Sequence, residues 1–567
     1  MKIALAQINT HIGNFSGNVQ KVLAFSEKAK KQGAALVIFP ELTLTGYPPK
    51  DLLEKPHFIE ANLKALQEVA QKISGIEAIV GFADPNPKTE GKALFNAAAL
   101  MGNGKVLSVQ HKKLLPTYDV FDEARYFESG KKSSVWKVGG LRLGLSICED
   151  LWNDEQVLGR KLYPGDPVAE LVQQRANVLL NIAASPYQRG KEALRYSLLS
   201  KIARKHKLPL IYVNLVGGND DLIFDGSSFC LNAQGEVTHQ LKAFEEDLAI
   251  IDTEPLVSKN PPNPPLQRGA GTEDPPTLLK GGWGGFDLDH IYKALILGTR
   301  DYFQKNNFKK AVIGLSGGID SALTAVIAAK ACGKENVLGV AMPSPFSSEG
   351  SLKDAKALAE NLGIAYRVIP IASIYEEYQN SLAWKQETEK GKVDVALQNI
   401  QARIRGTLLM ALSNREGSLL LSTGNKSEMA VGYCTLYGDM AGGLAVISDL
   451  PKTLVYELSW HIRQTEGFIP ESTLTKAPSA ELAPDQKDQD DLPPYEILDE
   501  ILKRYIEDNE GLEKIVKAGF SEKVVQKVIQ RIDQNEYKRK QAPPGLRITS
   551  KAFGYGRRLP ITNGFRE

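Results

Sequence analysis

A segment rich in proline and glycine, residues 255–286, is the clearest break in this chain and divides it into two parts. It contains the run PPNPP at 261–265 and the run GGWGG at 281–285. Proline removes a backbone hydrogen-bond donor and glycine raises the entropy cost of ordering the backbone, so the stretch predicts a linker. We therefore predict a first domain at 1–254 and a second at 287–567.

The two parts differ in the order of their predicted elements. Before the linker, strand-like runs are mixed with amphipathic helices and with hairpin signals such as Gly102-Asn103-Gly104, which predicts an α/β domain with antiparallel content. After the linker, strands and helices alternate cleanly, which predicts a doubly wound parallel sheet. The predicted fold class is therefore α/β in both domains.

Composition and charge exclude several classes of protein. Lysine and arginine total 69 and aspartate and glutamate 67, so a net charge of +2 gives no basic surface for nucleic acid or membrane as the main partner. The 4 cysteines include no CxxC pair, which excludes a disulfide framework and a cysteine zinc site. The apolar runs are far shorter than the ~20 residues of a membrane helix, and no leader-like segment precedes the first strand-like run. We expect a cytoplasmic enzyme.

Three chemically active side chains of the first part follow predicted strands. Glu41 follows LVIFP, Lys112 follows VLSVQH, and Cys148 follows LRLGLSI at an expected strand-to-helix turn. Such a turn places backbone N–H groups and a helix dipole near the sulfur, which favours the thiolate. Taken singly, these positions are also typical of core, of a strand end and of solvated surface. Together at the carboxyl edge of a sheet they indicate amide hydrolysis through a thioester, with a nucleophile, a base and a cation.

The contexts of these residues, FPE, KxxLP and CED, resemble those of the nitrilase superfamily. The resemblance covers roughly 1–253 and implies the αββα sandwich of that family. It implies that Glu41 is the general base, that Lys112 stabilises the tetrahedral oxyanion and that Cys148 is the nucleophile. Glu123 matches the second, supporting glutamate of the family.

The glutamine-hydrolysing members of that superfamily hold their substrate at three further positions. The resemblance places these at Tyr118, Ser185 and Lys191 of this sequence, with Arg189 as a nearby alternative for binding a carboxylate. Tyr118 and Ser185 are also typical of loop residues that bond to their own backbone.

In the second part, the string SGGIDS at 316–321 joins an apolar strand to a helix. Adjacent glycines turn consecutive N–H groups inward and the helix start adds its dipole, which makes a nest for pyrophosphate. No GK[ST] follows, so a Walker A loop is excluded. The string resembles the signature of the PP-loop ATP pyrophosphatases, which cleave ATP between its α- and β-phosphates and adenylate a carbonyl oxygen.

Further segments of the second part narrow the resemblance. They are QNIQARIR at 398–405, STGNKSEMAVGY at 422–433 and YKRKQAPPG at 537–545, and each alone is typical of an ordinary helix face, helix cap or basic surface run. Their order resembles NAD synthetase from about 288 to 566. With a nitrilase-like part in front, the whole chain resembles the glutamine-dependent NAD synthetases.

This resemblance implies a set of nucleotide-binding residues. Those implied for ATP are Gly314, Leu315, Ser316, Gly317, Gly318, Ile319, Asp320, Ser321, Thr423, Lys452 and Ser479, where the family often has threonine in place of Ser479. Those implied for nicotinate adenine dinucleotide (deamido-NAD) are Asn399, Glu428 and Lys538, and those implied for Mg²⁺ are Asp320 and Glu428. The acidic loop 484–494 resembles a segment that orders over the substrate in this family.

The implied reaction joins the two parts. Deamido-NAD, ATP, L-glutamine and water give NAD⁺, AMP, pyrophosphate and L-glutamate, with Mg²⁺ as cofactor and ATP as co-substrate. The resemblance also implies a homo-oligomer that pairs through the second domain. Neither a route for ammonia nor the number of subunits follows from the sequence.

Three alternatives stay open at this point. One is another PP-loop amidotransferase, such as one that aminates XMP or aspartate, although those carry glutaminases of unrelated design. The second is an amidohydrolase whose second part only senses nucleotide, which would need no metal pair such as Asp320 and Glu428. The third is a non-catalytic scaffold, which would have no use for the three residues Glu41, Lys112 and Cys148.

Overall fold

The computed structural model describes residues 1–155, 159–257, 284–384 and 394–565. The chain forms two compact units, Met1–Trp283 and Gly284–Glu567. Most of the predicted linker lies outside the described residues. At its two ends, Glu254–Val257 and Gly284–Lys305 are helical.

The first unit is built on two six-stranded sheets and a small hairpin. The strands are β1 Lys2–Gln7, β2 Leu36–Ile38, β3 Glu77–Pro85, β4 Leu94–Gly102, β5 Lys105–His111, β6 Val135–Val138, β7 Leu141–Ile147, β8 Val178–Ala183, β9 Leu210–Asn214, β10 Val216–Asn219, β11 Leu222–Asp225, β12 Phe229–Leu231, β13 Val237–Gln240 and β14 Asp247–Asp252. One sheet has the order β14-β1-β2-β3-β4-β5, the other β13-β12-β9-β8-β7-β6, and β10 pairs with β11. Parallel pairs lie at the centre of each sheet, and antiparallel pairs lie towards the edges.

Helices cover the outer faces of these sheets. They are α1 Phe15–Lys31, α2 Pro56–Lys72, α3 Glu123–Tyr126, α4 Pro167–Gln173, α5 Lys191–His206 and α6 Glu254–Val257, with 3₁₀ turns at Lys50–Glu54 and Cys148–Leu151. Alternate side chains of β1 show the layering, because a strand presents successive residues to opposite faces. Ile3 and Leu5 lie in the core between the two sheets, whereas Ala4 and Ala6 lie in the core beneath α1 and α2. This is the predicted αββα sandwich.

The first and last strands of this unit pair with each other. β1 runs antiparallel to β14, from Lys2 opposite Asp252 to Gln7 opposite Asp247, and its other edge pairs in parallel with β2. The Thr253 amide also donates to the Met1 carbonyl at 2.9 Å.

The second unit contains a five-stranded parallel sheet. Its strands are β15 Lys310–Gly314, β16 Val337–Ala341, β17 Ala365–Val368, β18 Ser418–Ser422 and β19 Leu444–Ala445, in the order β17-β16-β15-β18-β19. Every pairing in this sheet is parallel, as predicted. The chain leaves β15 towards β16 on one side and returns to β18 on the other, so the strand order reverses at β15. Ligands of open α/β sheets bind at such a switch point.

Helices flank this sheet and also make up the C-terminal part of the second unit. They are α7 Gly284–Lys305, α8 Ile319–Cys332, α9 Glu349–Leu362, α10 Ala372–Leu382, α11 Val395–Glu416, α12 Lys426–Val431, α13 Lys452–Glu466, α14 Glu471–Thr475, α15 Tyr495–Leu502, α16 Leu512–Lys517, α17 Glu522–Gln534 and α18 Glu536–Arg539, with 3₁₀ turns at Lys334–Asn336 and Asp488–Asp490 and a π turn at Lys503–Glu507. α10 and α11 pack on Val312, Val340 and Leu420 of the sheet. None of the helices in the described ranges combines the length and apolarity that a membrane span requires.

Two local predictions are wrong. Glu41 does not end a strand, because β2 stops at Ile38 and Glu41 begins a run of turns. The turn after β7 does not open a regular helix, because Cys148–Leu151 is only a short 3₁₀ turn.

Candidate active sites

The first unit brings together Glu41, which follows β2, with Lys112 and Glu123, which both follow β5. Lys112 Nζ lies 2.7 Å from Glu41 Oε1 and 2.8 Å from Glu123 Oε2. The side chains of Glu41 and Lys112 are fully buried and that of Glu123 is 5% exposed. A buried ammonium between two carboxylates is stable only because the opposite charges and the hydrogen bonds offset its desolvation.

Cys148 completes this cluster electrostatically. Its side chain is buried, and the charges of Glu41 and Lys112 both act on its thiol. Burial raises the pKa of the Cys148 thiol well above its ordinary value, the Glu41 carboxylate raises it further, and Lys112 opposes this rise. The turn, which by itself favours a thiolate, is thus opposed by burial and by Glu41, and a thiol with a raised pKa needs a base to become a nucleophile.

The electrostatics of Lys112 run in the opposite direction. Burial alone would lower the pKa of its ammonium, but Glu123 and Glu41 outweigh burial and raise the pKa well above its ordinary value. Lys112 is therefore a permanent cation beside Cys148, which suits stabilisation of a developing oxyanion.

Two residues that the sequence did not single out contact the same carboxylates. Asn96 on β4 donates from Nδ2 to Glu41 Oε1 at 2.7 Å and to Glu123 Oε2 at 3.4 Å. The Tyr47 hydroxyl donates to Glu123 Oε1 at 2.9 Å. A single polar residue inside the apolar run of β4 was the available sequence signal for Asn96.

The backbone around the cysteine is held in an unusual conformation. Cys148 has φ +44°, a region that residues other than glycine rarely adopt. Asp150 Oδ1 accepts from the Leu114 amide at 2.8 Å and Asp150 Oδ2 accepts from the Ile147 amide at 3.0 Å, so one carboxylate ties the cysteine turn to the lysine segment. Asn181 Nδ2 also donates to the Cys148 carbonyl at 3.4 Å. Such strain is typical of nucleophiles held in place by their surroundings.

Tyr118, a predicted substrate-holding residue, contacts the glutamate next to the cysteine. Its hydroxyl donates to Glu149 Oε1 at 2.9 Å, and Tyr163, which the sequence did not single out, donates to the same oxygen at 3.0 Å. Glu149 is buried, and its burial raises its pKa to about 7, although Lys112 and the two tyrosines oppose the rise.

Ser185 and Lys191 lie near the same unit's site region but differ in what they contact. The Ser185 amide donates to Asn214 Oδ1 at 2.9 Å, which fixes this buried loop. Lys191 begins α5, and its Nζ lies 5.7 Å from the ring centroid of Phe121 and 5.8 Å from that of Trp152. Both distances are in the range of a cation–π contact.

Replacing Glu149 with glutamine is expected to make the first unit less sensitive to pH. A folded-state pKa of about 7 lies above the ordinary 4.5, so between these values the folded protein holds a proton that the unfolded chain lacks. Wild-type stability therefore falls as pH rises from about 4.5 to 7, by on the order of 3 kcal/mol for this group. Denaturant unfolding of both proteins at pH 5 and pH 8 measures this difference, with Glu60→Gln on the exposed face of α2 as control. An equal pH dependence in wild type and Glu149→Gln would contradict it.

In the second unit, the SGGIDS string forms a tight loop between β15 and α8. Gly317 has φ +80°, and a Cβ at this position would lie 2.2 Å from the Ser351 carbonyl oxygen. The Gly318 amide donates to Ser316 Oγ at 3.2 Å, and Ser316 Oγ lies 3.1 Å from Ser321 Oγ. The loop is thus closed by its own hydroxyls, and only glycine fits where it passes α9.

Asp320 and Glu428 share the amine of Lys452. Lys452 Nζ donates to Asp320 Oδ2 and to Glu428 Oε1, the latter at 3.0 Å, and Asn425 Nδ2 donates to Asp320 Oδ1 at 2.9 Å. Burial raises the pKa of Glu428 to about 7, with Asp320 adding to the rise and Lys452 opposing it. For Lys452, burial would lower the pKa, but Asp320 and Glu428 outweigh it and raise it. Within the described ranges, no group of three or more histidine, cysteine, aspartate and glutamate side chains is arranged to hold a metal.

These groups line one cavity of about 280 Å³ at the switch point of the sheet. Of the residues predicted to bind ATP, those lining it are Gly314, Leu315, Ser316, Gly318, Ile319, Asp320, Ser321, Thr423, Lys452 and Ser479. The lining residues that were given no role from the sequence include Arg405 on α11, Tyr456 on α13 and Glu481. The acidic loop 484–494 contributes Asp488, whose Oδ2 accepts from the Tyr495 hydroxyl at 2.8 Å.

Asn399 and Lys538 are not among the residues lining this cavity. Both instead hold the segment 432–435, which follows α12. Lys538 Nζ donates to the Gly432 carbonyl at 2.8 Å and to the Cys434 carbonyl at 2.9 Å, while Asn399 Oδ1 accepts from the Thr435 hydroxyl at 2.7 Å. Within this segment, Tyr433 does line the cavity.

Similarity to known proteins covers both units of the chain. The carbon-nitrogen hydrolase family model matches residues 2–257 and the NAD synthase model matches residues 291–542. The glutamine-dependent NAD(+) synthetase of Synechocystis sp. is 48% identical over 99% of both chains, and that of Thermotoga maritima is 44% identical over 100% of this chain and 99% of its own.

Solved structures extend the similarity to the fold of the whole chain. Glutamine-dependent NAD+ synthetase from Acinetobacter baumannii in complex with adenosine diphosphate is 40% identical, with a TM-score of 0.73 over 99% of this chain and 98% of that one. A glutamine-dependent NAD(+) synthetase from Cytophaga hutchinsonii shares the fold at a TM-score of 0.81 and 22% identity, over 100% of this chain and 98% of that one. With two matching family models and full-length relatives at this level of identity, the chain belongs to the glutamine-dependent NAD(+) synthetases.

Proposed function

We propose that the two sites carry out the two half-reactions of a glutamine-dependent NAD⁺ synthetase. The overall reaction converts deamido-NAD, ATP, L-glutamine and water into NAD⁺, AMP, pyrophosphate and L-glutamate. The observation that carries this proposal is the presence of a buried Glu41–Lys112–Cys148 cluster and a glycine-loop cavity on one chain of this family.

Glutamine hydrolysis begins with proton transfer from the Cys148 thiol to Glu41, because a thiol with a raised pKa is a poor nucleophile without a base. The sulfur then attacks the side-chain amide carbon of glutamine, and the developing oxyanion lies against the Lys112 ammonium. The C–N bond breaks and ammonia leaves with the proton held by Glu41. Water, deprotonated by Glu41, next attacks the thioester, the C–S bond breaks, and glutamate and the Cys148 thiol are restored.

Tyr118, Ser185 and Lys191 are proposed to hold the glutamine backbone atoms. Lys191, which begins α5, is proposed to bind the α-carboxylate, with Arg189 as the nearby alternative. Glu123 is proposed to support Lys112, which it contacts directly.

The cavity of the second unit is proposed to activate the nicotinate carboxylate. One carboxylate oxygen attacks the α-phosphorus of ATP, the bond to the bridging oxygen of the β-phosphate breaks, and pyrophosphate leaves. The resulting acyl adenylate is attacked by ammonia, and AMP departs as the amide forms. The loop 314–321 supplies N–H and hydroxyl donors for the phosphates, with Thr423, Lys452 and Ser479 as further contacts.

Asp320 and Glu428 are chemically suited to Mg²⁺, which prefers carboxylate and phosphate oxygens. Two carboxylates are enough for an ion that takes its other ligands from phosphates and water. Lys452 bridges them in this structure, so it supplies the neutralising positive charge between them. When bound, Mg²⁺ would neutralise charge on the departing pyrophosphate.

Asn399, Glu428 and Lys538 are proposed to bind deamido-NAD, with Asn399 and Lys538 acting through the segment 432–435 that they hold. We further propose a homo-oligomer that pairs through the second unit, and a location in the cytoplasm. The exposed side chains of Met410 on α11 and of Tyr437, which line one pocket of the second unit, support such a pairing surface.

Product analysis of the purified protein tests this function. The protein is incubated with ATP, Mg²⁺ and deamido-NAD, with either glutamine or ammonium as nitrogen donor. We expect NAD⁺ and AMP in equal amounts with both donors, and glutamate with glutamine only. Glutamate without AMP would leave an amidohydrolase with a nucleotide-sensing second unit and would refute the proposal.

A further inference from the structure

Asn96 is a polar residue inside an otherwise apolar strand next to the catalytic cluster. It lies on β4, is fully buried, and is followed by Ala97, Ala98 and Ala99. Its backbone carbonyl accepts from the Lys112 amide at 2.8 Å, so strand pairing places Asn96 directly beside Lys112.

The side-chain amide of Asn96 spans the two carboxylates that flank Lys112. Nδ2 donates to Glu41 Oε1 at 2.7 Å and to Glu123 Oε2 at 3.4 Å. The ammonium of Lys112 and the amide of Asn96 therefore form two separate bridges between the same pair of glutamates. The second bridge is neutral, so it holds two like charges in place without adding a charge to the site.

The second bridge affects the hydrogen-bond donors of Lys112 and the acceptor sites of Glu41. Lys112 has three N–H donors, and its Nζ lies 2.7 Å from Glu41 Oε1, 2.9 Å from Glu123 Oε1 and 2.8 Å from Glu123 Oε2. An oxyanion therefore has to take a donor that Glu123 shares, and the Asn96 amide offers Glu123 a second donor in its place. Glu41 Oε1 accepts from Lys112 and Asn96, and Oε2 accepts from the Ala184 amide at 2.8 Å. Within the described part of the chain, this leaves Oε2 with one free lone pair to accept the Cys148 proton.

We propose that Asn96 is a positioning residue for glutamine hydrolysis. It fixes Glu41 and Glu123 relative to Lys112 so that the general base and the oxyanion donor face the nucleophile at the same time. Without it, two carboxylates share a single ammonium, and Lys112 can move towards either one. The inference rests on the proposed role of Glu41, Lys112 and Cys148.

A purely structural role explains Asn96 poorly. Its Oδ1 is buried and has no hydrogen-bond partner among the described residues, which costs stability. Asn62 on α2 is also fully buried in the same unit, but both polar atoms of its side-chain amide are hydrogen-bonded. Its Nδ2 donates to the Ala83 carbonyl at 2.6 Å and its Oδ1 accepts from the Ala83 amide at 3.3 Å. Asn62 is therefore a matched control for a buried asparagine outside the site.

The test compares Asn96→Leu, which keeps the size but removes both donors, with Asn62→Leu in the full-length protein. For Asn96→Leu we expect kcat for glutamate release to fall about 10- to 100-fold, with KM for glutamine changed less than about threefold. The rate of Cys148 alkylation by iodoacetamide should fall in parallel, because it reports thiol deprotonation without glutamine. NAD⁺ formation from ammonium should stay within about twofold of wild type.

Asn62→Leu should lower the melting temperature and leave kcat and alkylation near wild type. The proposal is overturned if Asn96→Leu behaves like Asn62→Leu, or if it raises KM for glutamine with kcat unchanged, which would indicate substrate binding instead. If Asn96→Leu does not fold, Asn96→Ser replaces it, since serine also removes the bridging amide and is smaller.

Wild type and Cys148→Ala are assayed in parallel. No glutamate from wild type would refute the proposed function itself, whereas active wild type with unaffected Asn96 variants would refute only this inference.

Discussion

Replacing Cys148 with alanine is expected to abolish NAD⁺ formation from glutamine and to leave formation from ammonium within about twofold of wild type. The reason is that glutamine hydrolysis needs the thioester at Cys148. Ammonia from added ammonium instead attacks the adenylated carboxylate directly, without a thioester. The loss with glutamine should exceed about 10³-fold, the usual effect of removing a catalytic nucleophile. The measurement is the initial rate of NAD⁺ formation with each donor under saturating ATP and deamido-NAD.

Cys230→Ala is the matched control for this substitution. Cys230 is a fully buried free cysteine on β12 of the same unit, and burial alone raises its pKa beyond the ordinary range of a thiol. It should retain both activities. Glutamine-driven NAD⁺ formation by Cys148→Ala at a rate near wild type would remove Cys148 from the mechanism.

Gly317→Ala is expected to abolish ATP use with either nitrogen donor. The new methyl group would lie 2.2 Å from the Ser351 carbonyl oxygen, so the loop or the start of α9 has to move. The φ of +80° adds a conformational penalty for a residue with a Cβ. Because phosphate binding depends on the positions of backbone N–H groups in this loop, we expect AMP and NAD⁺ formation to fall by about 100-fold or more.

Gly467→Ala separates the steric effect from the conformational one. Gly467 ends α13 in the same unit with φ +76°, and a Cβ there meets nothing within 4 Å. It pays the same left-handed penalty, of about 1 kcal/mol, and should keep wild-type activity with ammonium. Calorimetric titration of ATP into each variant tests whether the loss of activity is a loss of ATP binding. Equal activity of Gly317→Ala and wild type would show that the close approach to α9 does not shape the nucleotide site.

Fold class followed from the sequence because it depends on short-range patterns. Alternating strands and helices predicted the parallel sheet, and the strand-like run of β7 ended where Cys148 begins its turn. The end of β2 was misplaced by three residues, since apolar residues such as Phe39 continue beyond Ile38 and stay buried after the strand has ended, with the Phe39 amide still donating to the Ile79 carbonyl at 2.9 Å. Burial and strand pairing are separate properties, and residue type reports only the first.

The site was predictable where chemistry is carried by a recognisable motif and not where it is carried by packing. Glu41, Lys112 and the 316–321 loop stand in distinctive local contexts. Asn96 contacts Glu41 across 55 residues of sequence, and Tyr163 contacts Glu149 from a loop, so the local sequence can mark Asn96 as unusual but identifies neither partner. The direction of the pKa shift of Cys148 has no local signal either, because it depends on burial and on Glu41, which is distant in sequence.

Because β1 pairs with β14, the first sheet can be completed only late in the synthesis of the first unit. β1 is synthesised well before β14, and its outer edge is covered only when Asp247–Asp252 has been synthesised. Until then, the nascent chain carries an unpaired, largely apolar edge strand, which is a template for intermolecular association. Completion of the first sheet therefore awaits nearly the whole of the first unit, and conditions that slow translation before residue 252 should lower the soluble yield of this protein more than conditions that slow it afterwards.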